Sequence, residues 1–222
     1  MTTKLIKKEE MVYQIVQEYL NQNRYMQLND VVPYVKAKLA KKKFNINETG
    51  IIAILSSFIK RNIVVEGSKL LKEDILTVPK RNLIYNYIME NPGVYYYDIV
   101  KKLNLSSHVV RWHLNILHLF NFINKMKINN HEVYYDVKIN SEKVMAIYYI
   151  SNEKCKNIIE CLKVNDHGIT KTKLSKELSM HLNTISKYLD GLEKINLLTK
   201  KKLSNKTLYF LKFEQLSSLL SK

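Results

Sequence analysis

The sequence predicts a mainly α-helical fold with small β-hairpins, built as tandem copies of one module. Three observations predict it. The stretch LSSHVVRWHLNILHLFNFI, residues 105–123, places Val110, Leu114 and Leu117 three and four residues apart, the stripe of an amphipathic helix. Adding 75 returns the pattern: Val110, Leu114, Leu117, Asn121, Phe122 and Ile123 become Ile185, Leu189, Leu192, Asn196, Leu197 and Leu198. The register then holds without a gap, from Leu83 and Ile158 at one end to Tyr135 and Phe210 at the other. A fixed period sets the size of the structural unit, and two such copies are too few for a solenoid. Subtracting 59 from the central stretch gives a weaker third copy in Ile51, Leu55, Phe58, Asn62, Ile63 and Val64. The expected organisation is a diverged module over 1–79, clear modules over 80–139 and 140–213, and a C-terminal helix over 214–222.

Each element has its own justification. Residues 1–10 are charged and read as a frayed lead-in. Met11 to Leu20 reads as a helix with Val12, Ile15, Val16, Tyr19 and Leu20 on one face. Leu28 to Ala40 gives a second helix, and Lys41, Lys42 and Lys43 a basic turn. Asn47 is a capping residue for a third helix running to about Arg61. Ile63 to Val65 is short and β-branched, hence a strand, and Gly67 and Ser68 turn the chain back. Thr77, Val78 and Pro79 mark a boundary.

The second module opens with a helix from Lys80 to about Glu90, ended by Asn91, Pro92 and Gly93, since Pro cannot continue a helix and Gly accepts a left-handed turn. Tyr97 to Leu103 is its second helix, and at least one of Tyr95, Tyr96 and Tyr97 belongs to a core. Ser106 and Ser107 are good caps for the central helix, and Asn121 tolerates the left-handed conformation of a helix stop. Phe122–Lys127 and Val133–Ile139 form a hairpin around Asn129 and Asn130, a pair able to take positive φ. The third module repeats the order: helices over Glu153–Lys163, Lys171–Leu178 and His181–Ile195, then a hairpin of Leu197–Lys202 and Thr207–Phe213. Ser141 to Tyr149 is compatible with either a linking strand or a helix. Leu216, Leu219 and Leu220 mark a final short helix.

Composition bounds the function. The net charge is +16. It is spread along the chain, with 13 Lys+Arg against 8 Asp+Glu in residues 1–79, 8 against 4 in 80–138, and 14 against 7 in 139–213. A basic excess in every module points to a polyanionic partner, most often nucleic acid. Cys155 and Cys161 are six apart, on different faces of a helix, and form no metal motif. Two cysteines and no secretory signal fit a reducing cytoplasm, with the protein nucleoid-associated there. No apolar run approaches the length of a membrane span. With no phosphate loop, no metal cluster and no nucleophile–base pair, neither an enzyme nor a cofactor is expected.

Three helices followed by a two-stranded wing is a winged helix-turn-helix. NTISKYLDGLEKINLL, Asn183 to Leu198, resembles the recognition helix and following strand of MarR- and ArsR-like transcription regulators. VRWHLNILHLFNFI, Val110 to Ile123, is similar to the His-Leu-x-x-Leu version of archaeal winged-helix regulators, as is the turn of Asn91, Pro92 and Gly93. The resemblance covers residues 80–213 well and 9–75 weakly, with Asn121 and Asn196 where the family has Gly. It implies a DNA-binding regulator. One fold serves many tasks, however, so function must be argued from the residues.

A helix enters the major groove and points its N-terminal half at base edges. With third helices near 107–119 and 182–194, the second module offers Ser107, His108, Arg111, Trp112 and Asn115, and the third offers Asn183, Thr184, Ser186 and Lys187. The wings supply cations for phosphates: Lys125 and Lys127 in one, Lys200, Lys201, Lys202 and Lys206 in the other. Trp112 is open to two readings, exposed DNA contact or packing against another module. His113, at the position of Tyr188, reads as partly buried structure, and His108, His113 and His118, five apart, share no face for zinc. In the first module, Ile51, Ile52, Ala53, Ile54 and Leu55 are apolar on more than one side, which predicts burial against a neighbouring module or a second chain. A homodimer through that module or through the C-terminal helix follows. Two functions remain: a sequence-specific double-stranded DNA-binding transcription regulator, and a winged-helix protein scaffold similar in architecture to ESCRT-II or to general transcription subunits.

Overall fold

The computed structural model describes residues 5–203 and 205–214. The first module consists of α1 (Lys7–Gln22), α2 (Leu28–Lys41) and α3 (Glu48–Lys60), followed by a 3-10 turn over Lys72–Thr77. The second runs α4 (Pro79–Glu90), β1 (Val94–Tyr95), α5 (Tyr96–Leu103), α6 (Ser107–Leu119), β2 (Ile123–Ile128) and β3 (His131–Asp136). After α7 (Ser141–Ser151), the third repeats the order as α8 (Glu153–Val164), β4 (Ile169–Thr170), α9 (Lys171–Glu177), α10 (Leu182–Lys194), β5 (Leu198–Leu203) and β6 (Lys206–Leu211). This is a mainly helical, tandem winged helix-turn-helix architecture.

The offsets read from the sequence recur in the elements. α6 and α10, β2 and β5, and β3 and β6 begin and end 75 residues apart, and α3 and α6 do so at 59. The caps recur too. Asn47, Ser106 and His181 each accept a backbone N–H through the side chain at the start of the third helix. Asn62, Asn121 and Asn196 each stop that helix in the left-handed region, with φ of 53°, 56° and 59°. The next residue then donates back to the carbonyl five positions earlier, Ile63 to Phe58, Phe122 to Leu117 and Leu197 to Leu192.

Each wing is a three-stranded sheet rather than the expected two-stranded one, because the residues after Gly93 and Gly168 add a short strand. The orders are β1-β3-β2 and β4-β6-β5. Val94 pairs with Tyr134 and Ile169 with Tyr209, the same register 75 residues apart. Gly93 and Gly168 reach φ of 87° and 89°, which lets the chain turn straight from helix into strand. Asn129 and Asn130 take φ of 52° and 67°, both positive as a tight hairpin turn requires.

Several expectations are corrected. α1 begins at Lys7, inside the expected lead-in, because Glu9 turns its carboxylate back onto the Ile6 N–H at 3.2 Å. The first module has no strand at Ile63–Val65, only an isolated bridge between Val64 and Leu71. The second helix of the second module, α5, begins at Tyr96 rather than Tyr97, with Tyr95 in β1, and Leu83 is exposed where its counterpart Ile158 is buried. In α3, Ile51, Leu55 and Phe58 are buried, but Ile52 is 44% exposed, so the helix hides one stripe and not several. The undecided stretch after β3 is the helix α7. The C-terminal helix expected around Leu216, Leu219 and Leu220 lies outside the described residues.

The chain divides into two units that do not coincide with the sequence modules. One takes in residues up to Tyr87 together with Ile99–Asn124; the other takes in Ile88–Asp98 and the chain from Lys125 on. In the first unit, Val12, Ile15, Val16, Val31, Val35, Ile51, Leu55 and Phe58 form a core among α1, α2 and α3. In the second unit, Cys155, Ile158 and Leu162 of α8 meet Leu174 of α9 and Ile185, Leu189 and Leu192 of α10. Ile128 and Val133 of the β2–β3 hairpin and Tyr148 and Tyr149 of α7 join the same core.

Candidate nucleic-acid interface

α6 is capped by Ser106, whose Oγ accepts the Val109 N–H, and is held by Val110, His113, Leu114 and Leu117, all buried. The opposite stripe carries Ser107, His108, Arg111, Trp112 and Asn115, all exposed. The helix therefore brings together the five residues singled out in its sequence. Three of the four candidates from Ser107 to Trp112 have polar tips able to bond a base edge or phosphate. Trp112, the ambiguous one, is 50% exposed. Its neighbour His113 is buried, and its pKa is lowered by desolvation and by the charges of Arg81 and Lys80, which favours the neutral imidazole.

α10 is laid out differently. Asn183 and Lys187 are exposed, but Thr184 and Ser186 are partly buried, and the Ser186 hydroxyl donates back to the Leu182 carbonyl at 2.9 Å. The third turn is closed. Gly191 is buried, and a Cβ built there would overlap the Tyr149 ring of α7. The Tyr149 hydroxyl in turn donates to Asn129 Oδ1 at 3.3 Å, in the β2–β3 turn. Asn129, Tyr149, Asn183, Ser186, Lys187 and Lys194 thus border one open depression, with Asp190 an acidic group on its rim.

The wings differ in the opposite sense. In β2 and β3, Ile128 and Val133 are buried in the core of the second unit, Lys125 is ion-paired to Glu132 at 2.7 Å, and Lys127 is exposed. In β5, Leu198 alone is buried, and Thr199 to Leu203 are all exposed. Lys200 is held by Glu193 at 2.8 Å, which raises its pKa. Lys201 lies over the Phe210 ring at 5.4 Å, and Lys202 and Lys206 are exposed near the tip.

Two residues carried no sequence signal, Arg81 beside Trp112 of α6 and Tyr149 beside α10, and Gly191 carried a partial one. A glycine inside a helix does hint at close approach of another group, but the partner, Tyr149, comes from the stretch whose structure the sequence left open. Burial pushes the Cys155 thiol up to about 12 and the Cys161 thiol up to about 11, so both sulfurs are held as thiols. Among the described residues, no group of three His, Cys, Asp or Glu side chains lies close enough to hold a metal, and no helix is long and apolar enough to cross a membrane.

No family model matches the chain. It is 30% identical over 171 residues to an uncharacterized HTH-type transcriptional regulator of Methanocaldococcus jannaschii, a match covering 77% of this chain and 42% of that protein. The chain thus spans less than half the length of the curated relative it matches. Among solved structures, it is similar to reduced HlyU from Vibrio cholerae, with TM-score 0.30 and 18% identity over 36% of this chain and 84% of that one. It is also similar to the mRNA-binding domain of elongation factor SelB from E. coli, solved with SECIS RNA, with TM-score 0.28 and 12% identity over 61% of this chain and 98% of that one.

Proposed function

We propose that this protein is a transcription regulator that binds double-stranded DNA sequence-specifically, with α6 in the major groove and the basic wings on phosphates. The observation that carries the reading is the exposed stripe of Ser107, His108, Arg111, Trp112 and Asn115 on one capped helix of a chain with net charge +16. Arg pairs bidentately with guanine and Asn with adenine, which a protein-binding scaffold has no need to display. The transcriptional-regulator relative supports the same reading. Within it, the modules are 1–79, 80–139 and 140–213. α10 adds Asn183, Thr184, Ser186 and Lys187, and phosphates are met by Lys125, Lys127, Lys200, Lys201, Lys202 and Lys206. The protein acts in the cytoplasm on the nucleoid, without a catalytic step. Its nearer kinship is with archaeal MarR- and ArsR-like regulators.

A gel-shift against genomic fragments with a salt titration tests this. The expected result is a subset of fragments shifted at protein concentrations that leave random duplex free, with affinity falling steeply as salt rises. Uniform weak binding to every fragment would overturn it.

One observation favours protein contact for the first module. Leu28, Val32, Pro33 and the exposed Ile52 border an open depression between α2 and α3. We assign this module to assembly, as a homodimer. Sedimentation at micromolar concentration should show a dimer that Ile52→Asp dissociates; a wild-type monomer there would remove the assembly role.

A further inference from the structure

Arg81, in the first turn of α4, is 1% exposed, one of the largest fully buried side chains in the protein. Its Nη1 donates to the Ile75 carbonyl at 2.9 Å, and its Nε is buried without a hydrogen-bond partner. Its pKa is lowered by desolvation alone, with no carboxylate of the described residues opposing the shift. A buried guanidinium without an anion is costly, and an apolar side chain of the same length would fill the space at less cost. The compensating contact is aromatic. The guanidinium carbon lies 5.2 Å from the Trp112 ring centroid, in cation–π range. The same indole meets the buried His113 ring edge-on at 4.7 Å, while half its surface stays open beside Arg111 and Asn115.

We infer that Arg81 is a positioning residue: it stacks on Trp112 and holds the indole in one orientation on the exposed face of α6, where Trp112 contacts a base edge and sets sequence preference. This rests on the DNA-binding reading and deepens it. Guanidinium is suited to the task because it is planar and always charged, so it stacks on an aromatic face where an ammonium cannot. An immobilised indole presents a fixed apolar edge, whereas a mobile one fits several base steps equally well. His108, Arg111 and Asn115 then read polar edges around it.

Trp112 is the only tryptophan, so intrinsic fluorescence reports this side chain alone. The test compares the wild-type protein with Arg81→Met, Arg81→Lys and Trp112→Ala. Arg81→Met should add a fast component to the Trp112 anisotropy decay. It should also lower the ratio of preferred-site to random-duplex affinity roughly tenfold, leaving random-duplex affinity within about twofold. Arg81→Lys, which keeps the charge but not the plane, should recover only part of each. Trp112→Ala should lose as much of the ratio as Arg81→Met. A purely structural role would instead lower the melting temperature and leave the affinity ratio unchanged. Unchanged anisotropy in folded Arg81→Met, or an unchanged ratio in Trp112→Ala, would overturn the inference. Should Arg81→Met fail to fold, the anisotropy of Arg81→Lys and the ratio of Trp112→Ala decide alone. A wild-type protein with no preference among duplexes would instead defeat the DNA-binding reading, while the anisotropy measurement would still stand as the test of Arg81 on Trp112.

Discussion

α6 and α10 occupy the same place in two repeats and are each 13 residues long, with the same cap position and the same left-handed Asn after the last turn. Their outer faces have diverged. α6 leaves five polar and aromatic candidates exposed along one stripe, whereas α10 has its third turn closed by Tyr149 against Gly191. The wings trade the opposite way: the hairpin after α6 buries Ile128 and Val133, and the one after α10 exposes every residue from Thr199 to Leu203. A repeat conserves its scaffold in register, while what each copy can touch depends on which surfaces its neighbours in the same unit have taken. Under the proposed DNA-binding function, this comparison would assign base reading chiefly to α6 and phosphate contact chiefly to the second wing.

The largest effect that would break this comparison is at Gly191. Gly191→Ala should destabilise the protein by about 1–3 kcal/mol, because the added methyl must displace the Tyr149 ring in a packed core. At the equivalent position of α6, Ile116→Ala removes a half-buried side chain and should cost less. Urea unfolding of both variants measures this. A neutral Gly191→Ala would mean that Tyr149 does not close α10.

How much of this was legible depends on where each signal resides. The helix ends were legible because Asn62, Asn121 and Asn196 act locally, and an ungapped offset carries local chemistry from copy to copy. α7 was not. Its buried Val144, Ala146 and Tyr148 are two apart, the spacing of a strand, yet they lie on a helix. Since α7 packs on both α8 and α10, it is buried on more than one side and its periodicity is blurred. The candidate stripe on α6 was legible as a face, but the closure of α10 was not, because it depends on a contact between elements 42 residues apart, Tyr149 and Gly191. Arg81 was hidden by its type, since a lone cation in a basic chain reads as solvated surface.

A smaller effect tests the shared scaffold. Asn121→Ala and Asn196→Ala should each cost about 1 kcal/mol, the penalty for putting an ordinary L-residue in the left-handed region. Equal losses in thermal melting would support equivalent helix stops; unequal losses would show that the repeat ends differently in its two copies.

The smallest effect separates the copies by pH. His113 and Tyr188 hold the same buried position. The folded pKa of His113 is depressed, chiefly by desolvation and also by Arg81 and Lys80. The unfolded chain therefore binds the extra proton first, and the stability this neutral histidine supplies is present above its ordinary pKa of about 6.5 and lost as pH falls below it. Burial raises the Tyr188 pKa, well away from this window. Urea midpoints across that range should fall with pH in wild-type protein and fall less in His113→Leu.

The central claim is the division of labour between α6 and the second wing, and one measurement tests it directly. Arg111→Ala and Lys201→Ala are titrated against the preferred duplex and a random duplex across a salt series. Arg111→Ala should cost roughly 1–3 kcal/mol on the preferred duplex and relax the preference. Lys201→Ala should weaken both duplexes alike and lower the slope of log K against log salt by about one unit. The same uniform loss from both variants would contradict base reading by α6, and no loss from either would favour the protein-scaffold reading.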